Sequence, residues 1–130
     1  MSLAHFTLPT RELEKTARFF EATLGYARTP LPANSAPEAV WFNIGNGQQM
    51  HVLYVEAFET SAFEAEFGRH VAVFQPRARF AELKRRLTAE GAMLIDAIRP
   101  TPFERFFFRE PVNGYVFEVI DQDRASHLDQ

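Results

Sequence analysis

The sequence predicts an α+β fold built from two copies of one β-α-β-β-β unit, and three observations carry that prediction. The order of elements repeats, each half reading as strand, helix, strand, strand, strand. The punctuation recurs at matched distances: His5 precedes the helix-ending Gly25 by 20 residues and His70 precedes Gly91 by 21. Gly25 in turn precedes Asn46 of an Asn-Gly turn by 21 residues, and Gly91 precedes Asn113 of a second by 22. Finally, 130 residues without a cysteine suit one domain held by its core alone. Repeats dictate architecture ahead of local propensity. Module 1 is therefore expected over residues 3–56 or so, module 2 over about 68–122, and the whole chain, 1–130, as a single domain.

Each element follows from local chemistry. Residues 5–8 alternate apolar and polar and meet Pro9, so a strand is expected to stop there. Thr10 is placed to cap the next helix, with Glu12 and Glu14 in a first turn whose dipole favours anions. Leu13, Ala17, Phe20 and Leu24 recur on one helical face, and Gly25 ends it. Residues 26–29 read as a short edge strand, and 30–37, with three prolines, as a loop. Strands over 39–44 and 48–55 flank Gly45-Asn46-Gly47, a strong hairpin signal. A polar connector follows over 56–67.

In the second half, residues 69–74 read as a strand ended by Pro76. Phe80, Leu83 and Leu87 mark a helix stopped by Gly91. Strands are expected over 92–98, 103–109 and 115–121, the last after the turn at Pro111-Val112-Asn113-Gly114. The tail from 122 to 130 is polar.

Composition excludes whole classes of function. Fourteen basic against 17 acidic residues give a net charge of −3 and no nucleic-acid footprint. Lys84-Arg85-Arg86 is a solvated helix face. No stretch approaches the roughly 20 apolar residues of a bilayer span, and residues 1–5 do not read as a signal peptide, so a cytoplasmic location is expected. There is no Gly-rich phosphate loop, G-x-S-x-G elbow, H-E-x-x-H, zinc-finger spacing or Ser-His-Asp triad. Fourteen phenylalanines point to an aromatic-lined cavity.

The chemistry lies in the repeat. Five residues after each turn Asn stands a side chain able to hold a metal: His51 after Asn46, Glu118 after Asn113. Each module thus carries a potential ligand on its first strand, His5 or His70, and another on its last. A pseudo-two-fold axis relating the modules would bring all four toward a common point. Imidazole and carboxylate without thiolate suit Zn, Fe, Mn, Ni or Co as divalent ions. If only His5, His70 and Glu118 bind, His51 becomes a nearby acid or base. Strand alternation places Gln49 beside His51 and Thr7 beside His5, where Thr7 could bond a substrate. It also places Phe103, Arg105, Phe107 and Arg109 on one face, where an arginine could hold a carboxylate or phosphate. Each residue has a plainer reading: a histidine bonded in a strand, Glu118 paired with Arg105, phenylalanines in the core, and His127 idle in the tail.

His5-Phe-Thr-Leu-Pro, Leu13-Glu14-Lys15-Thr16-Ala17-Arg18-Phe19-Phe20 and Leu24-Gly25 resemble the opening of the glyoxalase/bleomycin-resistance/extradiol dioxygenase superfamily, also called vicinal oxygen chelate. Trp41-Phe42, Gly45-Asn46-Gly47-Gln48 and His51 resemble its first hairpin, and Arg105 to Pro111 with Phe117-Glu118 its closing signature. The resemblance implies a glyoxalase-like curved mixed sheet around a cleft that holds a divalent metal on His5, His51, His70 and Glu118. It implies a small oxygen-chelating metabolite or xenobiotic as substrate, met by Thr7, Gln49, Arg105 and Phe107, with Glu118 or His51 shuttling a proton. Glyoxalase-type lyase or isomerase chemistry comes first, ring-cleaving dioxygenase second, and non-catalytic drug binding of bleomycin-resistance type third. It also implies a homodimer whose site is shared between subunits. Departures are visible: glyoxalase I more often has glutamate at the position of His51. Residues 98–102 carry neither the cation loop nor the lysine of fosfomycin-resistance members.

Overall fold

A computed structural model of the chain describes residues 3–34 and 38–123. The end of the proline-rich loop and the tail with His127 lie outside the described residues. The chain divides into two compact units, Met1–Glu59 and Thr60–Gln130. The first comprises β1 (His5–Thr10), α1 (Leu13–Ala22), β2 (Ala27–Thr29), β3 (Ala39–Gly45) and β4 (Gln48–Tyr54). The second comprises β5 (Val71–Gln75), α2 (Phe80–Ala89, entered through a 3-10 turn at Arg77–Arg79), β6 (Met93–Ile95), β7 (Arg105–Arg109) and β8 (Val116–Asp121).

The two sheets have one topology. Strand order is β1-β4-β3-β2 in one and β5-β8-β7-β6 in the other. In both, the outer first strand runs parallel to the last and the remaining pairs are antiparallel. The β-α-β-β-β unit predicted from the spacings is therefore present twice. Registers agree residue by residue: Thr7 faces His51 and Trp41 faces His51, while Ala72 faces Glu118 and Phe107 faces Glu118. His51 and Glu118 thus hold equivalent positions, and so do Trp41 and Phe107.

Each unit buries one face of its sheet under its helix. Leu8, Ala17, Phe20, Phe42, Met50 and Val52 are fully buried in the first, and Leu87, Phe108, Val116, Phe117 and Val119 in the second. Each of the larger ones, Ala17 aside, contributes about 1.5–3 kcal/mol of transfer free energy. Leu13, expected on the buried face of α1, is half-buried, and Phe19 is the residue the periodicity missed.

Several boundaries differ from expectation for local reasons. β1 continues through Pro9 because it is an edge strand, where a missing N–H breaks no obligatory ladder bond. Thr10 does not cap α1 itself; its hydroxyl accepts from the Glu12 amide (3.0 Å) and pairs with Thr16 (3.0 Å), one turn earlier. β5 starts at Val71, so His70 stands just ahead of the strand rather than within it. The expected strands at 92–98 and 103–109 shrink to Met93–Ile95 and Arg105–Arg109. Between them the amides of Ile98 and Arg99 donate to the Glu66 carboxylate instead of a neighbouring strand. The two Asn-Gly turns also diverge. Asn46 (φ 53°) and Gly47 (φ 73°) make a tight hairpin turn. Around Asn113-Gly114 the chain wraps the buried Glu110 carboxylate, which accepts from the amides of Val112, Asn113 and Tyr115. Burial pushes the Glu110 carboxyl upward against the pull of those amides. Among the described residues no helix is long and apolar enough to cross a membrane.

Candidate functional site

In the first unit, the antiparallel pairing of β3 with β4 sets Trp41 against His51, and β1 brings His5 to the other side. The three rings form a stack: Trp41 and His51 have centroids 3.9 Å apart and nearly parallel planes (2°), and His5 lies 4.0 Å from His51 at 15°. His51 is buried, whereas His5 and Thr7 are exposed. Burial lowers the His51 pKa, and the neighbouring His5 lowers it further, because a second positive charge there is unwelcome. His51 Nε2–H donates to Gln49 Oε1 (2.8 Å), which fixes the tautomer and leaves the Nδ1 lone pair available. Gln49, expected among the substrate contacts, here holds a histidine.

In the second unit, His70 Nδ1–H donates to the Ala65 carbonyl (3.1 Å), and Nε2 lies 3.2 Å from Glu118 Oε1. A carbonyl can only accept, so the proton of a neutral His70 sits on Nδ1. Nε2 then turns its lone pair toward a carboxylate oxygen. Two acceptors meeting in this way are repulsive unless a proton or a metal cation stands with them. Two atoms bound at about 2.1 Å to one ion in adjacent positions lie roughly 3.0–3.4 Å apart, so the pair has the spacing of two ligands. A backbone carbonyl orienting the far nitrogen is also the usual support of a metal-binding imidazole. In chemistry, an imidazole nitrogen and a carboxylate oxygen are donors that a divalent cation takes.

Glu118 is held from its other oxygen. Arg105 Nη1 donates to Glu118 Oε2 (2.9 Å), Nη2 donates to Glu66 Oε2 (3.0 Å) and to the Arg99 carbonyl. The side chains of Arg105, Glu66 and Glu118 are 3%, 8% and 9% exposed. Arg105 Nε is buried without a hydrogen-bond partner among the described residues. Burial opposes the charge on Glu66, yet the amides of Ile98 and Arg99 and the guanidinium of Arg105 outweigh it and hold its carboxyl below the usual range. Phe107, 1% exposed, packs its ring against the edge of His70 (5.2 Å) and under the Arg105 guanidinium (5.3 Å). Arg105 and Phe107 therefore build the wall behind Glu118, and the plain expectation that Glu118 pairs with Arg105 holds. Arg109 is likewise committed, donating to the carbonyls of Gly114 and Glu64.

The structure thus gathers the expected ligands as two pairs, His5 with His51 and His70 with Glu118. Among the described residues no group of three or more His, Asp or Glu stands close enough to hold a metal ion. Sequence reasoning missed Trp41 and Glu66. Trp41 was findable, since counting outward from the Gly45-Asn46-Gly47 turn pairs it with His51. Glu66 lies in an irregular segment with no periodic signal.

The family model described as Glyoxalase/Bleomycin resistance protein/Dioxygenase superfamily matches residues 2–119. No curated protein matches the sequence. Among solved structures, the fosfomycin resistance protein FosX from Mesorhizobium loti aligns with a TM-score of 0.72 at 20% identity, covering 98% of this chain and 97% of that one. FosX from Listeria monocytogenes aligns with a TM-score of 0.77 at 16% identity over 98% and 96% of the two chains. A mutant of the Listeria protein, complexed with Mn(II) and 1S,2S-dihydroxypropylphosphonic acid, aligns at 0.71 and 18% identity over 95% and 92%. At these identities the likeness is one of fold.

Proposed function

The chain belongs to the Glyoxalase/Bleomycin resistance protein/Dioxygenase superfamily, and from that membership we propose that it is a divalent-metal-dependent enzyme acting on a small substrate that chelates through neighbouring oxygens. The observation that carries this reading is His70, whose far nitrogen is fixed by the Ala65 carbonyl while its near nitrogen faces the Glu118 carboxylate. The proposed ligand positions are His70 and Glu118 in the second unit and the equivalent His5 and His51 in the first. A Mn(II) complex of a related fold supports a divalent ion in the family.

When bound, the ion supplies Lewis-acid stabilisation of negative charge developing on substrate oxygen. The chain's own groups position and move protons. Arg105 holds Glu118 Oε2 and so leaves Oε1 to face His70. Where His51 is not itself a ligand, its Nδ1 lone pair is available to take a proton. Such proton movement favours glyoxalase-type lyase or isomerase chemistry within the class. A homodimer is part of the same proposal and is checked by sedimentation equilibrium.

The test is elemental analysis of the purified protein followed by Mn²⁺ titration calorimetry on the wild type and His70→Ala. Removing a ligand is expected to weaken Mn²⁺ binding by more than about 100-fold, since even supporting groups are worth 10–100-fold. A wild type that binds no divalent ion, and gains no thermal stability when one is added, overturns the metal reading in favour of drug sequestration. Oxygen consumption with catechol and Fe²⁺ would replace isomerisation by ring cleavage.

A further inference from the structure

Glu66 belongs to no motif, yet it is among the most fully engaged carboxylates of the second unit. Its Oε1 accepts the Ile98 amide (2.6 Å), and its Oε2 accepts the Arg99 amide (3.0 Å) and Arg105 Nη2 (3.0 Å). Arg105 is buried between two carboxylates, Glu66 on one nitrogen and Glu118 on the other. The charge of this cluster decides what Glu118 can do for a cation beside it. With both carboxylates ionised and one guanidinium, the cluster carries −1. Without Glu66, Arg105 would sit at 2.9 Å from Glu118 as its sole counter-charge, and the pair would be neutral. A buried full positive charge held that close is poorly screened. It would cancel most of the attraction a carboxylate offers to a metal ion.

We infer that Glu66 is a positioning and charge-balancing residue for the Glu118–His70 pair: by occupying Arg105 it leaves the Glu118 carboxylate anionic toward a divalent cation. The two amides that Glu66 accepts from residues 98 and 99 keep it in place and tie that loop to the cluster. This inference rests on the metal reading above and adds to it a residue 52 positions away from Glu118 in the chain.

The charge count orders four proteins. Arg105→Gln leaves −2, the wild type −1, the double variant Glu66→Gln/Arg105→Gln −1, and Glu66→Gln 0. Mn²⁺ dissociation constants, measured by calorimetry on the full chain with the metal alone, are expected to follow that order. Glu66→Gln should weaken binding by about 10–100-fold, the range seen for groups that support a ligand. The double variant should return to within about 3-fold of the wild type, a rescue that loss of structure cannot produce. Should Glu66→Gln not fold, as judged by circular dichroism, the remaining three proteins carry the test, with the double variant binding more weakly than Arg105→Gln. Affinity that instead falls with the number of residues replaced, or that ignores Glu66→Gln, overturns the inference while leaving the metal reading standing. Absence of saturable Mn²⁺ binding by the wild type overturns both.

Discussion

The two units share a backbone and differ in how they hold equivalent side chains. His51 and Glu118 sit at the same register position of β4 and β8, each facing a residue of the first strand on one side and an aromatic of the third on the other. Around His51 the support is neutral: a Trp41 face, a His5 face and one carboxamide. Around Glu118 it is ionic: Arg105, Glu66 and the His70 ring. A repeated fold prescribes where a side chain stands; the chemistry that orients it is free to diverge between copies. Stacked rings restrain a plane while leaving one nitrogen open. An ion-pair network restrains a carboxylate oxygen and sets the local charge.

That contrast can be broken at its foundation or sharpened at its edges. The largest effects are expected in the shared framework. Phe42 and Phe108 hold equivalent register positions and are both fully buried. Phe42→Ala and Phe108→Ala should each cost about 3–5 kcal/mol in denaturant unfolding. A difference between them beyond about 2 kcal/mol would show that the two cores are not energetically alike. Next comes the equivalent pair at the site. Glu118→Ala strands a buried guanidinium with one remaining carboxylate and should cost about 3 kcal/mol. His51→Ala removes a stacked neutral ring and should cost about 1 kcal/mol. Equal costs would erase the distinction between ionic and neutral support.

The smallest effect is one of pH. Because burial lowers the His51 pKa, the folded state binds fewer protons there than the unfolded chain, and stability rises with pH. His51 therefore contributes above the ordinary histidine value of about 6.5, and the contribution is lost as pH falls through its depressed folded value. Metal-free protein should lose stability on acidification below about pH 6.5, and His51→Gln should flatten that decline in unfolding curves. Trp41, the single tryptophan, reports the same event through its fluorescence, since its ring lies against His51. An unchanged pH profile in the variant would place the titration elsewhere.

Much of this was legible along the chain. The matched distances from His5 to Gly25, Asn46 and His51, and from His70 to Gly91, Asn113 and Glu118, disclosed the repeat and both pairs of side chains. Helix faces and turns followed from period and from glycine. Errors clustered where a distant group took over a backbone amide. Residue 98 read as the end of a strand by composition, but the Glu66 carboxylate claims its N–H and that of Arg99. Arg105 and Phe107 were foreseen on one strand face, whereas their engagement with Glu66 and His70 was not, because it depends on an irregular segment passing beside β7.

Spacing alone was enough for the duplicated β-α-β-β-β unit and for setting His5 near His51 and His70 near Glu118, because strand period and turn length act over a few residues and repeat faithfully. Which groups support those four emerged only in three dimensions. Arg105 meets Glu66 across 39 residues of chain, and the Trp41–His51 stack needs a particular antiparallel register. Such contacts arise from packing and charge between segments whose separation in sequence carries no periodic trace.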